Sequence, residues 1–255
     1  MTKPMNQRFL LPLILGALWM MPSLVSATVL TSQAPISGGG VARSSQLWQD
    51  PGPDGNDLDG DAICWEDFTL GTTAAIDHLE WWGTGASELG FQIEIWRQDP
   101  GSIAYQPLAI FDQGPGHSLV TPEARFSVTY SDLTLSSGPG GLTHFVLELA
   151  SPVTLAANDS GNPRWFIGIV GLTAQPFVTW NWSQGTGGST KTYQWIRGGI
   201  DGGGDSFRPL PDGRALVLAG VVPEPSAAAR LGLGVLALAF RRRIRNAPFT
   251  TSAGA

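Results

Sequence analysis

The chain has 255 residues, with 15 Lys and Arg against 21 Asp and Glu, and a formal net charge of −6. Residues 28–222 hold 20 of the acidic residues but only eight of the basic ones, a net charge of −12. A surface this acidic argues against nucleic acid and anionic lipid as partners, and it is compatible with divalent cations or neutral sugars. The single cysteine, Cys64, rules out an intrachain disulfide, and we expect a small buried residue there rather than a catalytic thiol.

The N-terminal segment has the organisation of a secretory signal peptide. Lys3 and Arg8 form a basic start, residues 9–21 form an apolar run, and Ala27 ends a small-residue cleavage site. We therefore predict a signal peptide over residues 1–27, cleaved after Ala27. An uncleaved anchor is the alternative, although the apolar run is short for a membrane span.

Residues 28–222 have the pattern of short strands separated by turns. Residues 28–45 are small, polar and Gly-rich, and predict a loose lead-in or an edge strand. Short apolar or alternating runs follow, with Gly, Pro and Asp between them, at residues 65–70, 76–82, 91–96, 105–111, 126–135, 142–149, 164–170, 177–182, 193–197 and 215–222. We predict an all-β fold, with one β-sandwich or jelly-roll-like domain over residues 46–222. It is flanked by an N-terminal signal helix and a short C-terminal transmembrane helix.

An acidic loop over residues 50–61 is a candidate calcium site. It contains five aspartates and one asparagine among glycines, and Ca²⁺ binds such oxygen ligands. The spacing is not that of an EF-hand. Asp57, Asp59 and Asp61 are the best candidate ligands, and a solvated acidic loop without metal is the alternative. We predict no resident cofactor other than this Ca²⁺.

Nine of the ten tryptophans lie between residues 28 and 222. Aromatic rings stack on sugar rings, but they also fill hydrophobic cores. Strand alternation places Trp96 opposite the apolar face of strand 91–96, and it places Trp180 and Trp182 on one shared face. These three tryptophans are the candidates for a carbohydrate platform, and a core position is the alternative for each.

Signals for catalysis are weak. The three histidines are scattered, and the sequence has no HExxH, CxxC or Gly-x-Ser-x-Gly motif. Glu80 and Glu94, on strands predicted to be neighbours, could act as a glycosidase-like carboxylate pair, or they could be solvent-facing charges. We predict that the chain is not an enzyme and has no catalytic residues.

The C-terminal segment combines three features in order. The tripeptide Pro223, Glu224 and Pro225 precedes an apolar run over residues 226–240, and the basic cluster Arg241, Arg242 and Arg243 follows. As a helix, the run would cover about 22 Å, less than the roughly 30 Å of a bilayer core. The arginines would stay on the cytoplasmic side. Such a marginal span predicts transient anchoring in the inner membrane.

This order of features over residues 223–245 resembles the PEP-CTERM sorting signal of exported bacterial proteins associated with exopolysaccharide. The resemblance implies an exosortase-type processing enzyme as a partner, which recognises the tripeptide and processes the tail. It also implies an envelope of the Gram-negative type and delivery to the cell surface or the extracellular space. The polar extension over residues 246–255 departs from the pattern, because such proteins usually end at the basic cluster.

Residues 65–70, 76–83, 164–167 and 177–182 resemble parts of the sandwich ectodomains that precede such tails. The resemblance supports the fold and leaves the activity open. We therefore expect an exported, non-catalytic surface or extracellular-matrix protein that is associated with exopolysaccharide. A calcium-assisted carbohydrate-binding module is the first alternative, and a secreted hydrolase is the second.

Overall fold

The structure is a computed structural model, and it describes residues 27–49, 60–101, 105–108, 121–197 and 206–223. These residues form an all-β fold, as the sequence predicts. The strands are β1 (Thr28–Pro35), β2 (Arg43–Ser44), β3 (Gln46–Trp48), β4 (Ala62–Phe68), β5 (Ala74–Gly85), β6 (Gly90–Arg97), β7 (Ala124–Val128), β8 (Leu133–Ser137), β9 (Thr143–Leu155), β10 (Trp165–Thr173), β11 (Trp180–Trp182), β12 (Gly185–Thr186), β13 (Thr192–Ile196), β14 (Ser206–Leu210) and β15 (Leu216–Val221). Short 3-10 helices cover Ser37–Gly39, Tyr130–Asp132 and Pro139–Gly141.

The first sheet is built around β5. On one side β5 pairs antiparallel with β9, which pairs with β8. On its other side β5 pairs first with β15 and then with β11, and β1 pairs antiparallel with β15. The short strands β12 and β2 extend β1 and β11.

The second sheet has the order β14, β13, β4, β10, β6 and β7, with every pair antiparallel. The short strand β3 lies between β4 and β10 where these two diverge, and it runs parallel to β10.

One hydrophobic core joins the two sheets. Alternation explains it, because every second residue of a strand lies on the same face. In β5 these residues include Leu79 and Trp81, and in β6 they are Phe91, Ile93 and Ile95, all fully buried. Residues of β9, β11 and β15 from the first sheet and of β4 and β10 from the second complete the same cluster. The inner faces of the two sheets therefore pack against each other.

The chain termini of the domain lie at one end, and three loop connections lie at the other. Thr28 pairs with Gly220, which pairs with Ile76 near the start of β5, so the first and last strands lie side by side at one end. We call this the tail end. Gly85 closes β5 at the opposite end, about 30 Å away at the usual rise per residue. The connections over residues 85–90, 129–132 and 174–179 lie there, and we call it the loop end.

Three details differ from the sequence-based expectations. Residues 126–135 do not form one strand, because the 3-10 helix Tyr130–Asp132 divides them between β7 in the second sheet and β8 in the first. In the segment 105–111, residues 105–108 contribute only an isolated bridge between Pro107 and Gln98. Of the two alternatives for the segment 28–45, the strand is found and the loose lead-in is not, since β1 forms a ladder with β15 and buries Gln33.

Among the residues that the structure describes, no helix is both long and apolar enough to cross a bilayer. The predicted signal helix and the predicted C-terminal helix both lie outside the described residues.

Candidate functional site

The three tryptophans predicted as a carbohydrate platform are not available for one. Trp180 and Trp182 do share a face, as alternation predicts, but this face is the inner one, and both side chains are fully buried. Their neighbours include Phe91, whose ring meets that of Trp180 edge-on at 5.1 Å. The platform prediction is therefore wrong for both residues, because the face that they share is covered by the opposite sheet.

Trp96 points away from the main core, as predicted, but it is only 5% exposed. A second aromatic layer on the outer face of the second sheet covers it, formed by Trp65, Trp96, Phe166, Tyr193 and Trp195. Tyr105 and Leu108 pack onto this layer from the segment after β6. The Trp96 indole Nε1 donates to Glu94 Oε2 at 2.9 Å. Trp96 therefore does not form an exposed platform either.

Of the predicted calcium ligands, Asp61 is described, and Asp57 and Asp59 lie outside the described residues. The buried Asp61 carboxylate accepts a hydrogen bond from the Trp48 backbone N–H at 2.8 Å, and it lies 3.8 Å from the Arg197 guanidinium. Asp61 thus has a structural role at the start of β4. Within the described ranges, no three His, Cys, Asp or Glu side chains are grouped to hold a metal ion.

The carboxylate pair suggested for a hydrolase is not a pair. Glu80 lies on β5 in the first sheet and Glu94 on β6 in the second, and their neighbours Leu79, Trp81, Ile93 and Ile95 point into the shared core. The two carboxylates therefore lie on opposite outer faces, with the whole core between them. The prediction that their strands are neighbours is wrong, because consecutive strands here change sheet.

Glu80 instead joins a chain of polar side chains across the outer face of the first sheet. Its Oε1 lies 3.0 Å from His78 Nε2, and its Oε2 lies 2.8 Å from His144 Nε2. His78 Nδ1 lies 2.6 Å from Glu148, and His144 Nδ1 lies 3.0 Å from the Ser136 hydroxyl. The three strands β5, β9 and β8 bring these residues together, and the scattered sequence positions gave no sign of it.

The charged forms of His78 and Glu80 stabilise each other. Burial disfavours the charged form of His78, but its hydrogen bonds to Glu80 and Glu148 outweigh this and raise its pKa. Burial likewise disfavours the charged form of Glu80, and the two histidines outweigh it and lower the pKa of Glu80. Ser136, His144 and Glu80 have the residue types of a catalytic triad, and they lie on the outer face of the first sheet, where the His144 and Glu80 side chains are 21% and 25% exposed.

A buried charge cluster lies between the sheets near β1 and β15. The fully buried Arg214 guanidinium donates to the Val41 carbonyl at 2.8 Å, to the Trp182 carbonyl at 3.0 Å and to Asp212. Asp212 also binds Arg43 through two hydrogen bonds of 3.0 and 2.5 Å. The Asp212 carboxylate thus lies between the guanidinium groups of Arg43 and Arg214. These contacts connect the loop before β15 to β2 and β11.

Glu66 lies beside this cluster and is fully buried. It accepts hydrogen bonds from Gln33 at 2.7 Å, from the Arg214 backbone N–H at 2.7 Å and from Thr192 at 3.0 Å. Burial raises the pKa of Glu66 to about 8, even though these hydrogen bonds lower it. The buried Gln33 Oε1 has no hydrogen-bond partner. A half-turn of the Gln33 amide would let Oε1 accept a hydrogen bond from the protonated carboxyl group of Glu66.

Cys64 is fully buried, as expected for a structural residue. Its Sγ lies 3.3 Å from the Ser44 carbonyl oxygen. Burial raises the pKa of the Cys64 thiol to about 12, although Arg214 and Arg43 lower it. A thiol in this environment remains protonated and inert at neutral pH.

The predicted processing signals frame the folded unit. Ala27 directly precedes β1, and Pro223 follows β15 by two residues. The chain therefore enters and leaves the domain at the tail end. The remaining sorting residues, Glu224, Pro225, Arg241, Arg242 and Arg243, lie outside the described residues.

No protein-family model, no curated protein and no solved structure matches this chain. Function is therefore inferred from its own residues and their geometry.

Proposed function

We propose that this chain is an exported, non-catalytic surface or matrix protein, sorted through a PEP-CTERM signal and associated with exopolysaccharide. In this proposal residues 1–27 are removed as a signal peptide. Residues 223–245 hold the chain briefly in the inner membrane for an exosortase-type enzyme, and residues 28–222 fold outside as a sandwich of two sheets.

The observation that carries the proposal is the fit between the folded unit and the two signals. β1 begins one residue after Ala27, and β15 ends two residues before Pro223. Thr28 pairs with Gly220, so the chain enters and leaves the domain on adjacent strands. Cleavage at either signal would leave the β1–β15 ladder complete. Both cuts are thus compatible with a stable, released domain.

The polar clusters support a non-catalytic role. Arg214 donates hydrogen bonds to Asp212 and to backbone carbonyls inside the domain, where no substrate has access. His78 and His144 both bind Glu80 on the outer face of the first sheet. These are arrangements that fix structure, whereas a catalytic site presents its groups in a cleft.

A carbohydrate platform formed by Trp96, Trp180 and Trp182 is not supported, since all three side chains are buried. Calcium binding by Asp57, Asp59 and Asp61 remains a separate prediction.

Sorting is tested by replacing Pro223, Glu224 and Pro225 with alanine in a bacterium that has an exosortase. We expect the wild-type protein in the cell-surface and extracellular fractions with a shortened C-terminus, and the triple variant in the inner membrane with its tail intact. A conservative control replaces Ser226 with alanine and should behave as wild type. If the triple variant is processed and released like the wild type, the proposal is wrong.

A further inference from the structure

The loop end presents apolar side chains to solvent from three separate connections. Leu89 is 45% exposed in the connection after β5, Tyr130 is 37% exposed after β7, and Phe177 is 68% exposed after β10. Phe177 is the most exposed of the large hydrophobic residues described. Single exposed apolar residues are common on protein surfaces, but these three belong to connections at the same end of the domain.

Hydrogen bonds hold these three connections together. The Ser87 and Tyr130 hydroxyls lie 2.8 Å apart, which joins the first connection to the second. The Ala86 N–H donates to the Thr179 carbonyl at 3.1 Å, which joins the first to the third. The three apolar side chains therefore sit on a connected framework.

Phe177 is held in a backbone conformation that bulky residues rarely adopt. Its φ is 61°, in the left-handed region that favours glycine. This conformation is unfavourable for phenylalanine, and the ring gains little burial in return. Gly60 lies beside it, since a Cβ placed there would be 3.5 Å from the ring. Folding stability alone does not explain an aromatic side chain at this position.

The charge of the loop end limits what can bind there. The connections over residues 85–90, 129–132 and 174–179 contain no Lys or Arg. Their two acidic residues are Glu88 and Asp132. Asp132 accepts hydrogen bonds from the Thr129 backbone N–H and hydroxyl at 2.8 and 2.7 Å. With no Lys or Arg in these connections, and with a net charge of −12 over residues 28–222, this surface does not favour phosphate, sulfate or uronate groups.

We infer that the loop end, through Phe177 with Leu89 and Tyr130, is the surface that binds a neutral polysaccharide. The inference rests on the proposed function, because the tail end is the one that faces the membrane during sorting. The loop end lies about 30 Å from the tail end along β5 and so points away from the membrane. The Phe177 ring stacks on the apolar face of a sugar ring, and Tyr130 adds an apolar ring with a hydroxyl.

The test is affinity electrophoresis of the full-length chain, purified in mild detergent. Gels are cast with hydroxyethylcellulose, dextran or galactomannan as neutral polymers, and with alginate as the anionic one. The variants are Phe177→Gly and Leu89→Ser. Val29→Ser is the control, because Val29 on β1 is 60% exposed but lies at the tail end. Phe177→Gly removes the ring and the left-handed strain together, so its thermal unfolding temperature should equal or exceed that of the wild type.

We expect retardation of the wild type by at least one neutral polymer, and about tenfold weaker binding for Phe177→Gly, as loss of one aromatic contact implies. Leu89→Ser should also bind less tightly, and Val29→Ser should match the wild type. If the wild type is retarded and Phe177→Gly is retarded equally, the assignment of the surface is wrong while the proposed function stands. If no neutral polymer retards the wild type, or only alginate does, the inference fails, and export and sorting are decided separately by the tail variants. Self-association lost in Phe177→Gly, without retardation, would identify the surface as a contact between copies and would also overturn the inference.

Discussion

The buried charge cluster provides the sharpest test of the packing. Arg214→Met keeps most of the side-chain volume and removes the guanidinium from a position with no solvent exposure. The Asp212 carboxylate then loses one of its two cationic partners, and the Val41 and Trp182 carbonyls lose their donor. Removing one partner of a buried ion pair typically costs about 3–5 kcal/mol of stability. For a domain of this size, each kcal/mol lowers the unfolding temperature by about 2–4 °C.

We therefore expect Arg214→Met to unfold roughly 6–20 °C below the wild type. Arg97→Met is the matched control, because Arg97 pairs with Glu123 at 3.1 Å with both side chains well exposed. An exposed pair contributes about 1 kcal/mol or less. Thermal unfolding followed by tryptophan fluorescence measures the shift in unfolding temperature for both variants. If Arg214→Met is no less stable than Arg97→Met, Arg214 does not have the structural role described above.

Three further predictions concern titration, reactivity and metal. Because the pKa of Glu66 is raised to about 8, the folded state keeps a proton that the unfolded chain releases near its ordinary pKa. Stability should therefore fall between about pH 5 and pH 8, and Glu66→Gln should flatten this slope in urea titrations; equal slopes in both proteins would contradict the account. Cys64 should be unreactive to a thiol reagent in the native protein and fully reactive after denaturation, and rapid native labelling would show that its site is open. Calcium titration by calorimetry should give a signal that Asp57→Asn and Asp59→Asn reduce, whereas no signal with the wild type would rule out the predicted site.

Alternation in the sequence predicted the directions of side chains well. Trp81 lies in the main core, and Trp82 points to the other face of β5, as their adjacent positions require. Trp96 also points opposite to Phe91, Ile93 and Ile95. Period-two patterns predict which residues share a face, because strand geometry fixes this locally.

The same patterns could not predict which face is covered. Trp96 is outward-facing yet buried, because an aromatic layer and the segment at Tyr105 cover it. The cluster joins Arg214 and Asp212, which are two residues apart, to Glu66, which is 148 residues from Arg214, so no local motif marks it. The sequence pattern predicts a strand from residue 177, whereas the structure places Phe177 in a turn before β11, with its ring exposed and its φ in the left-handed region.

The central claim is that the two terminal signals are processed around an intact β domain. Mass spectrometry of the protein recovered from the cell-surface fraction of an exosortase-containing bacterium tests it most directly. The account predicts an N-terminus at Thr28 and a C-terminus that lacks the arginine cluster at 241–243. A surface protein that begins at Met1, or that retains this cluster, would contradict it.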